Sequence, residues 1–255
     1  MNARSRIRLA GFALAALALG CVLKEPIMVL PAPLLSNADV LPVSGRQGLV
    51  FPWTPLHFGA FRTTSILRGW ARVSSWSWGI LDDDETFDAK QPLTFVLEGG
   101  VGEQWSAHCL ARKHEHHRDV AVGFHFGTDG AGIDRRRVEA VSNELFECDL
   151  EGPARARWRL LLSDADPSGM GGVLLDDRQA VRARVSMVRE QTGRPYTYAV
   201  PQPVGFLVET TVGPAVGVER AFDGKVVLSR FVPAGEATVL AAVATALLVW
   251  EPIGS

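Results

Sequence analysis

Five of the six histidines, His108, His114, His116, His117 and His125, fall within eighteen residues. Imidazole is the commonest transition-metal ligand, and a zinc site needs three or four convergent donors. Glu115 and Asp119 place carboxylates close by in the sequence. No zinc-hydrolase spacing such as HExxH accompanies the group. The metal candidates are therefore His108, His125, His114 and His117, in a metal-binding protein or metal-dependent enzyme centred on His108 and His125. The competing expectation is a solvated polar loop.

Two acidic stretches could hold a hard cation. Asp164-Ala165-Asp166-Pro167-Ser168-Gly169 has oxygen side chains at positions 1, 3 and 5 and glycine at 6, as calcium loops do. The acidic twelfth ligand is missing, because Leu175 stands there with Asp176 and Asp177 directly after it. Pro167-Ser168-Gly169 is also ordinary turn chemistry between strands. Asp82-Asp83-Asp84-Glu85 reads either as a cation patch or as a solvated charged loop. No cofactor is required by these patterns, and zinc and calcium are the ones they would admit.

Trp70, Trp76 and Trp78 share the parity of one predicted strand and form the aromatic surface candidate, able to stack on sugar rings or to anchor at a lipid interface. Since the opposite parity carries Ala71, Val73, Ser75, Ser77 and Gly79, the tryptophan side is expected to be the buried one. No GxSxG elbow, P-loop, dinucleotide fingerprint or SxxK is present. An enzyme is thus neither assigned nor excluded, and catalytic residues are assigned to none.

The elements that must position these groups are mostly strands. Val181, Ala183, Val185 and Met187 alternate with Arg182, Arg184 and Ser186, the pattern of a strand with one dry face. Similar segments are Arg68–Gly79, Pro92–Glu98, Gln104–Lys113, Val120–Phe126, Glu144–Leu150, Ala156–Ser163, Gly205–Val212, Ala215–Phe222 and Lys225–Phe231. Turn residues separate them, among them Thr128-Asp129-Gly130 and Asp223-Gly224, the latter predicting a two-residue hairpin. Many short strands at this spacing predict a mainly β fold, an antiparallel sandwich or barrel. Ala237–Trp250, rich in Ala and Leu and closed by Pro252, predicts one C-terminal apolar helix packed on it. Fourteen residues span about 21 Å as a helix, short of a bilayer core of about 30 Å.

Pairing Gln104–Lys113 with Val120–Phe126 around a loop at Glu115–Arg118 would set Cys109 opposite Phe124, Ala111 opposite Val122 and His108 opposite His125. Trp105, Ala107, Cys109 and Ala111 would then share a buried face. Phe146, Cys148 and Leu150 alternate in the same way, so both cysteines are expected to point inward. In an oxidising compartment Cys109 and Cys148 form the natural disulfide, and two separate buried thiols are the alternative.

The N-terminus bears on that compartment. Arg4, Arg6 and Arg8 precede the apolar run Leu9–Leu23, which Lys24-Glu25-Pro26 ends, as in a secretory signal. Leu17-Ala18-Leu19-Gly20-Cys21 resembles the lipobox of bacterial lipoprotein precursors, with Ala18 where that motif most often has Leu. The resemblance covers residues 1–21. It implies cleavage before Cys21, acylation of that residue by a diacylglycerol with chains such as palmitate, and partnership with a membrane through the N-terminal lipid. Val22 rather than Asp after the cysteine resembles lipoproteins sent to the outer membrane, should the cell be Gram-negative. An ordinary cleaved signal, giving a periplasmic or secreted soluble protein, is the alternative.

Residues 1–20 thus read as signal peptide, 21–44 as a lipid-anchored tether punctuated by Pro26, Pro31, Pro33 and Pro42, and 45–255 as a single β-rich domain ending in helix 237–250. Part of the tether is apolar enough to lie against the domain. Removing residues 1–20 takes the formal charge from −2 to −5, which lacks the basic footprint of nucleic-acid binding. Arg135-Arg136-Arg137 is the one basic run, without interleaved aromatics to stack bases. The functional expectation is an exported, lipid-anchored envelope protein with a non-catalytic binding or structural role towards an envelope protein, lipid or glycan partner.

Overall fold

A computed structural model describes residues 27–46, 55–78, 83–99, 102–127, 130–164, 170–192, 204–221 and 223–253. Its strands are β1 (Ile27–Met28), β2 (Ala38–Pro42), β3 (His57–Phe58), β4 (Phe61–Arg68), β5 (Arg72–Trp78), β6 (Asp83–Glu98), β7 (Gln104–Gly127), β8 (Gly130–Glu151), β9 (Arg157–Ser163), β10 (Gly171–Leu175), β11 (Val181–Val188), β12 (Gln191–Thr192), β13 (Gly205–Thr210), β14 (Gly213–Glu219) and β15 (Lys225–Ser229). A short helix α1 (Ala32–Ser36) follows β1, and α2 (Ala234–Val249) follows β15.

All pairings are antiparallel, and the main sheet runs β2-β15-β14-β13-β11-β10-β9-β8-β7-β6-β4-β3, with β5 paired to β6 beside β4. Reciprocal hydrogen bonds between Ser44 and His57 (2.9 and 3.1 Å) bring the two ends of this order together, so the sheet nearly closes into a barrel. Closure removes most of the edge that an open sheet would expose.

The alternation predicted from the sequence faces inward at Trp105, Ala107, Cys109 and Ala111 on β7, Phe146, Cys148 and Leu150 on β8, Leu160 and Leu162 on β9, and Val216 and Val218 on β14. Outward positions carry charge, as in the pairs Arg112–Glu147, Arg159–Asp149 and Arg62–Glu98. Charge outside and apolar inside is the reverse of a transmembrane barrel.

The inside is filled by α2. Every residue from Thr238 to Val249 is buried, and the helix packs against β14 and also against β6, β7 and β8, which lie across the sheet order from it. A helix with side chains is 10–12 Å wide, and Ala241, Ala242, Ala244 and Ala246 keep this one narrow where the strands surround it. Residues predicted as a helix packed on a sheet are therefore the core of the barrel.

A lock fixes the C-terminal end of α2. Its last turn has no basic residue of its own, but Arg220, from the loop after β14, donates to the Trp250 carbonyl and lies 5.4 Å from that indole ring. A cation there complements the helix dipole. Burial, then repulsion from Arg46, pulls the Arg220 guanidinium down to about 10, which leaves it charged at neutral pH. Trp250 also meets Phe146 and Phe206, with ring centroids at 5.5 and 5.9 Å. β14 and β15 pair as far as Glu219–Lys225 and are joined by the five residues 220–224, the first of which is the lock's Arg220, not by the predicted two-residue Asp223-Gly224 turn.

The stretch expected to be a tether is largely part of the fold from Ile27 on. Met28, Leu30 and Leu34 pack on Val204, Leu207 and Val227, on the outer side of β13 and β15. Gly217 on β14 permits this, since a Cβ there would meet Leu30 Cδ2 at 2.7 Å. The chain then returns as β2 alongside β15. Spacing of prolines concealed this strap, because its partners are some 170 residues away and its burial comes from outside the sheet.

Candidate functional site

With the lumen occupied, accessible chemistry lies on the surface, and it gathers where β5–β8 run past the barrel. β7 has 24 residues and β8 has 22, but β9 pairs with β8 only from Leu145 to Glu151. Lys113 marks the rim, where its Nζ donates to the Ile253 carbonyl at 2.9 Å. The fourteen residues from there to Gly127 extend about 45 Å as a strand. They form an arm of order β5-β6-β7-β8, flanked by free edges along much of its described length.

This arm overturns the predicted hairpin. Lys113–Asp119 is mid-strand, and the turn comes at Gly127–Gly130. Cys109 consequently faces Cys148, not Phe124, with Cα atoms 3.9 Å apart and the pair at disulfide distance. His108 faces Asp149 and Thr94, not His125, which is opposite Gly132. The polar run reads as a loop in the sequence because neither face of an exposed ladder needs apolar residues.

The histidines are thus strung along one strand. His114 lies six residues from His108, about 20 Å, and His125 eleven beyond that. His114 Nδ1 pairs with Asp88 Oδ1 at 2.8 Å and His116 Nε2 with Asp84 Oδ1 at 2.7 Å, each across the β6–β7 ladder. His117 is on the other face, 4.0 Å from Glu115. Among the described residues no three His, Cys, Asp or Glu groups converge as a metal site. The Asp164–Gly169 loop falls mostly outside the described residues, though Asp164 Oδ1 accepts from the Glu144 N–H at 2.7 Å. Asp176 is a turn carboxylate. It accepts from the N–H groups of Ala180 and Arg178 and from Arg182, and these bonds, Ala180 first, hold it below the usual carboxylate range.

The tryptophans are on the outside. Trp76 and Trp78 are 72% and 73% exposed and share the outer face of the arm with Asp84, Asp88, His114 and His116. Contrary to expectation neither face of β5 is buried, all of Arg72–Trp78 being exposed, and the face opposite the indoles becomes dry only nearer the rim, at Ala89 and Ala111. Trp70 is 93% exposed in the break between β4 and β5. The rings of Trp76 and Trp78 are 6.0 Å apart and tilted by 59°, so they form no flat platform for a sugar chain.

Behind the arm, Lys113 pairs with Glu115 at 2.9 Å, and Glu144 accepts from the Ile253 N–H at 3.2 Å. Burial raises the Glu144 carboxyl above its ordinary value, against the pull of Ile253 and Lys113. An unfolded Glu144 ionises first, so its contribution to stability falls as pH rises from the ordinary value through the raised one. Glu144→Gln is expected to raise the melting temperature at pH 7.5 and to leave it nearly unchanged at pH 4. Equal shifts at both values would contradict this assignment.

Comparison with known proteins found no family model, no curated protein and no solved structure that matches the chain. Among the described residues no helix is long and apolar enough to cross a membrane.

Proposed function

We propose that this is an exported, lipid-anchored envelope protein with a non-catalytic binding role, in which the filled barrel is a rigid support and the arm is the contact element. The observation that carries this reading is the division between a lumen packed with α2 and an arm that holds Trp76 and Trp78 in water. Exposed indoles of this kind mark interaction surfaces. Export and anchoring are supported by the signal layout and by Cys21, and the Cys109–Cys148 pair suits an oxidising compartment. A disulfide there would join two neighbouring strands of the support.

Intact mass of the mature protein from a bacterial membrane fraction tests the anchor. A chain starting at Cys21 with added lipid mass is expected, and Cys21→Ser should move the protein out of that fraction. An unlipidated wild-type chain in the soluble fraction would overturn anchoring. Turnover of a generic ester, peptide or glycan substrate by the purified protein would overturn the non-catalytic role.

A further inference from the structure

Among the described residues nothing covers the outer edge of β5. The strand pairs with β6 in one unbroken register, from Arg72 opposite Lys90 to Trp78 opposite Asp84. β4 takes the same side of β6 nearer the start of α2, and the chain leaves the sheet between the two at Gly69, whose N–H donates to the Pro92 carbonyl at 2.8 Å. No backbone group of β5 bonds to a described residue outside β6, and Arg72–Trp78 are exposed throughout. A row of free N–H and C=O groups of this kind is a template for another strand.

The two edges of the arm differ. That of β8 carries the run Arg135-Arg136-Arg137 and a bulge, because Arg118 is opposite Glu139 and Asp119 opposite Arg137, which leaves Val138 with no opposite residue. Charged side chains and bulges keep an edge from pairing with other chains. The β5 edge has no bulge, and Arg72-Val73-Ser74-Ser75-Trp76-Ser77-Trp78 contains no proline, glycine or lysine and only one charged residue, at its end. Its valine and tryptophans favour a strand.

This edge is also self-complementary. Antiparallel pairing of two copies about a two-fold axis at Ser75 would use the whole strand, with Arg72 opposite the partner's Trp78, Val73 opposite the partner's Ser77 and the small Ser74 opposite the partner's Trp76. On the outer face Arg72 would then be opposite one indole and diagonal to the other, within reach of both rings. The row continues through β6, so Lys90 and Arg72 of one copy would meet the partner's Trp78 and Asp84. Neither Arg72 nor Lys90 has an ion-pair partner among the described residues. We infer that the free edge of β5 is a self-association surface, on which a second copy of this chain pairs antiparallel about Ser75 and joins the two arms into one continuous sheet. The inference goes beyond the function proposed above and requires neither export nor the lipid anchor.

The test is sedimentation velocity over a range of concentrations on the chain from residue 22 onward, which retains every described residue and carries no acyl group. A concentration-dependent equilibrium between monomer and dimer is expected. Ser75→Lys and Ser75→Asp each set like charges on the axis and should weaken the dimer about tenfold or more, whereas an equimolar mixture of the two should restore it. Arg72→Glu, on the opposite face of the strand, turns a carboxylate towards the partner's Asp84 and should weaken the dimer independently. Val138→Lys, on the β8 edge, should change nothing. Melting curves of these variants at dilution are expected to match wild type, since all the replaced side chains are exposed. A wild-type chain that stays monomeric up to about 1 mM overturns the pairing. So does a dimer that is indifferent to substitution at Ser75 and Arg72, that is lost through Val138→Lys, or that the mixture does not restore.

Discussion

Ala244→Arg is expected to abolish the folded state. Ala244 is fully buried in the middle of α2, with strands on opposite sides of the helix. An unpaired buried charge costs several kcal/mol, and the added bulk costs about 1–3 kcal/mol more, against a total stability of about 5–15 kcal/mol for most domains. Removing residues 234–255 should do the same, because the facing side chains of β7, β8 and β14 would line an empty lumen. Circular dichroism and size exclusion read the outcome. A truncated chain that kept a cooperative thermal transition would mean that α2 is a docked accessory, available to a partner.

Replacing both cysteines comes next in size. Cys109 and Cys148 are 39 residues apart in sequence and face each other across the β7–β8 ladder. Closing a loop of that length is worth about 4 kcal/mol in the chain-entropy model. Cys109→Ala/Cys148→Ala should therefore lose about 3–4 kcal/mol in denaturant unfolding. Wild type in excess reductant should lose a similar amount, and the variant should be insensitive to reductant. Equal stability of wild type with and without reductant would show that the bond is not formed in the folded protein.

How much of this was legible in the sequence depended on where water lies. Val181–Met187 and Phe146–Leu150 were readable as strands because one face of each is dry, which imposes a period of two. Ala237–Trp250 was readable as a helix from composition, but its place inside the barrel was not. An all-apolar helix states only that it is buried, and the surrounding strands come from both halves of the chain. Lys113–Asp119 misled because in the arm the ladder continues with water nearby on both faces, so polarity no longer distinguishes strand from loop. The misplaced turn put His108 opposite His125 and Cys109 opposite Phe124, two errors of one register, whereas the expected pairing of Cys109 with Cys148 is at disulfide distance in the structure. The outward Trp76 and Trp78 were misassigned for a related reason. Parity correctly put them on one face, but only their ladder with β6, whose Ala89 leads into the lumen, tells which face is outside.

The strap and the filled lumen also bear on when the molecule can take shape. The ion pair between Asp39 and Arg230 joins residues 191 positions apart, and β2 waits for β15 before it has a partner. The helix that occupies the interior is made after all the strands around it. Early strands therefore have neither their neighbour nor their filling while synthesis proceeds, and long-range pairing of this kind is slow. A chain ordered this way stays open and threadable until residues 234–253 have been made. On the exported reading proposed above, late closure gives a route that needs an unfolded polypeptide the time in which to move it.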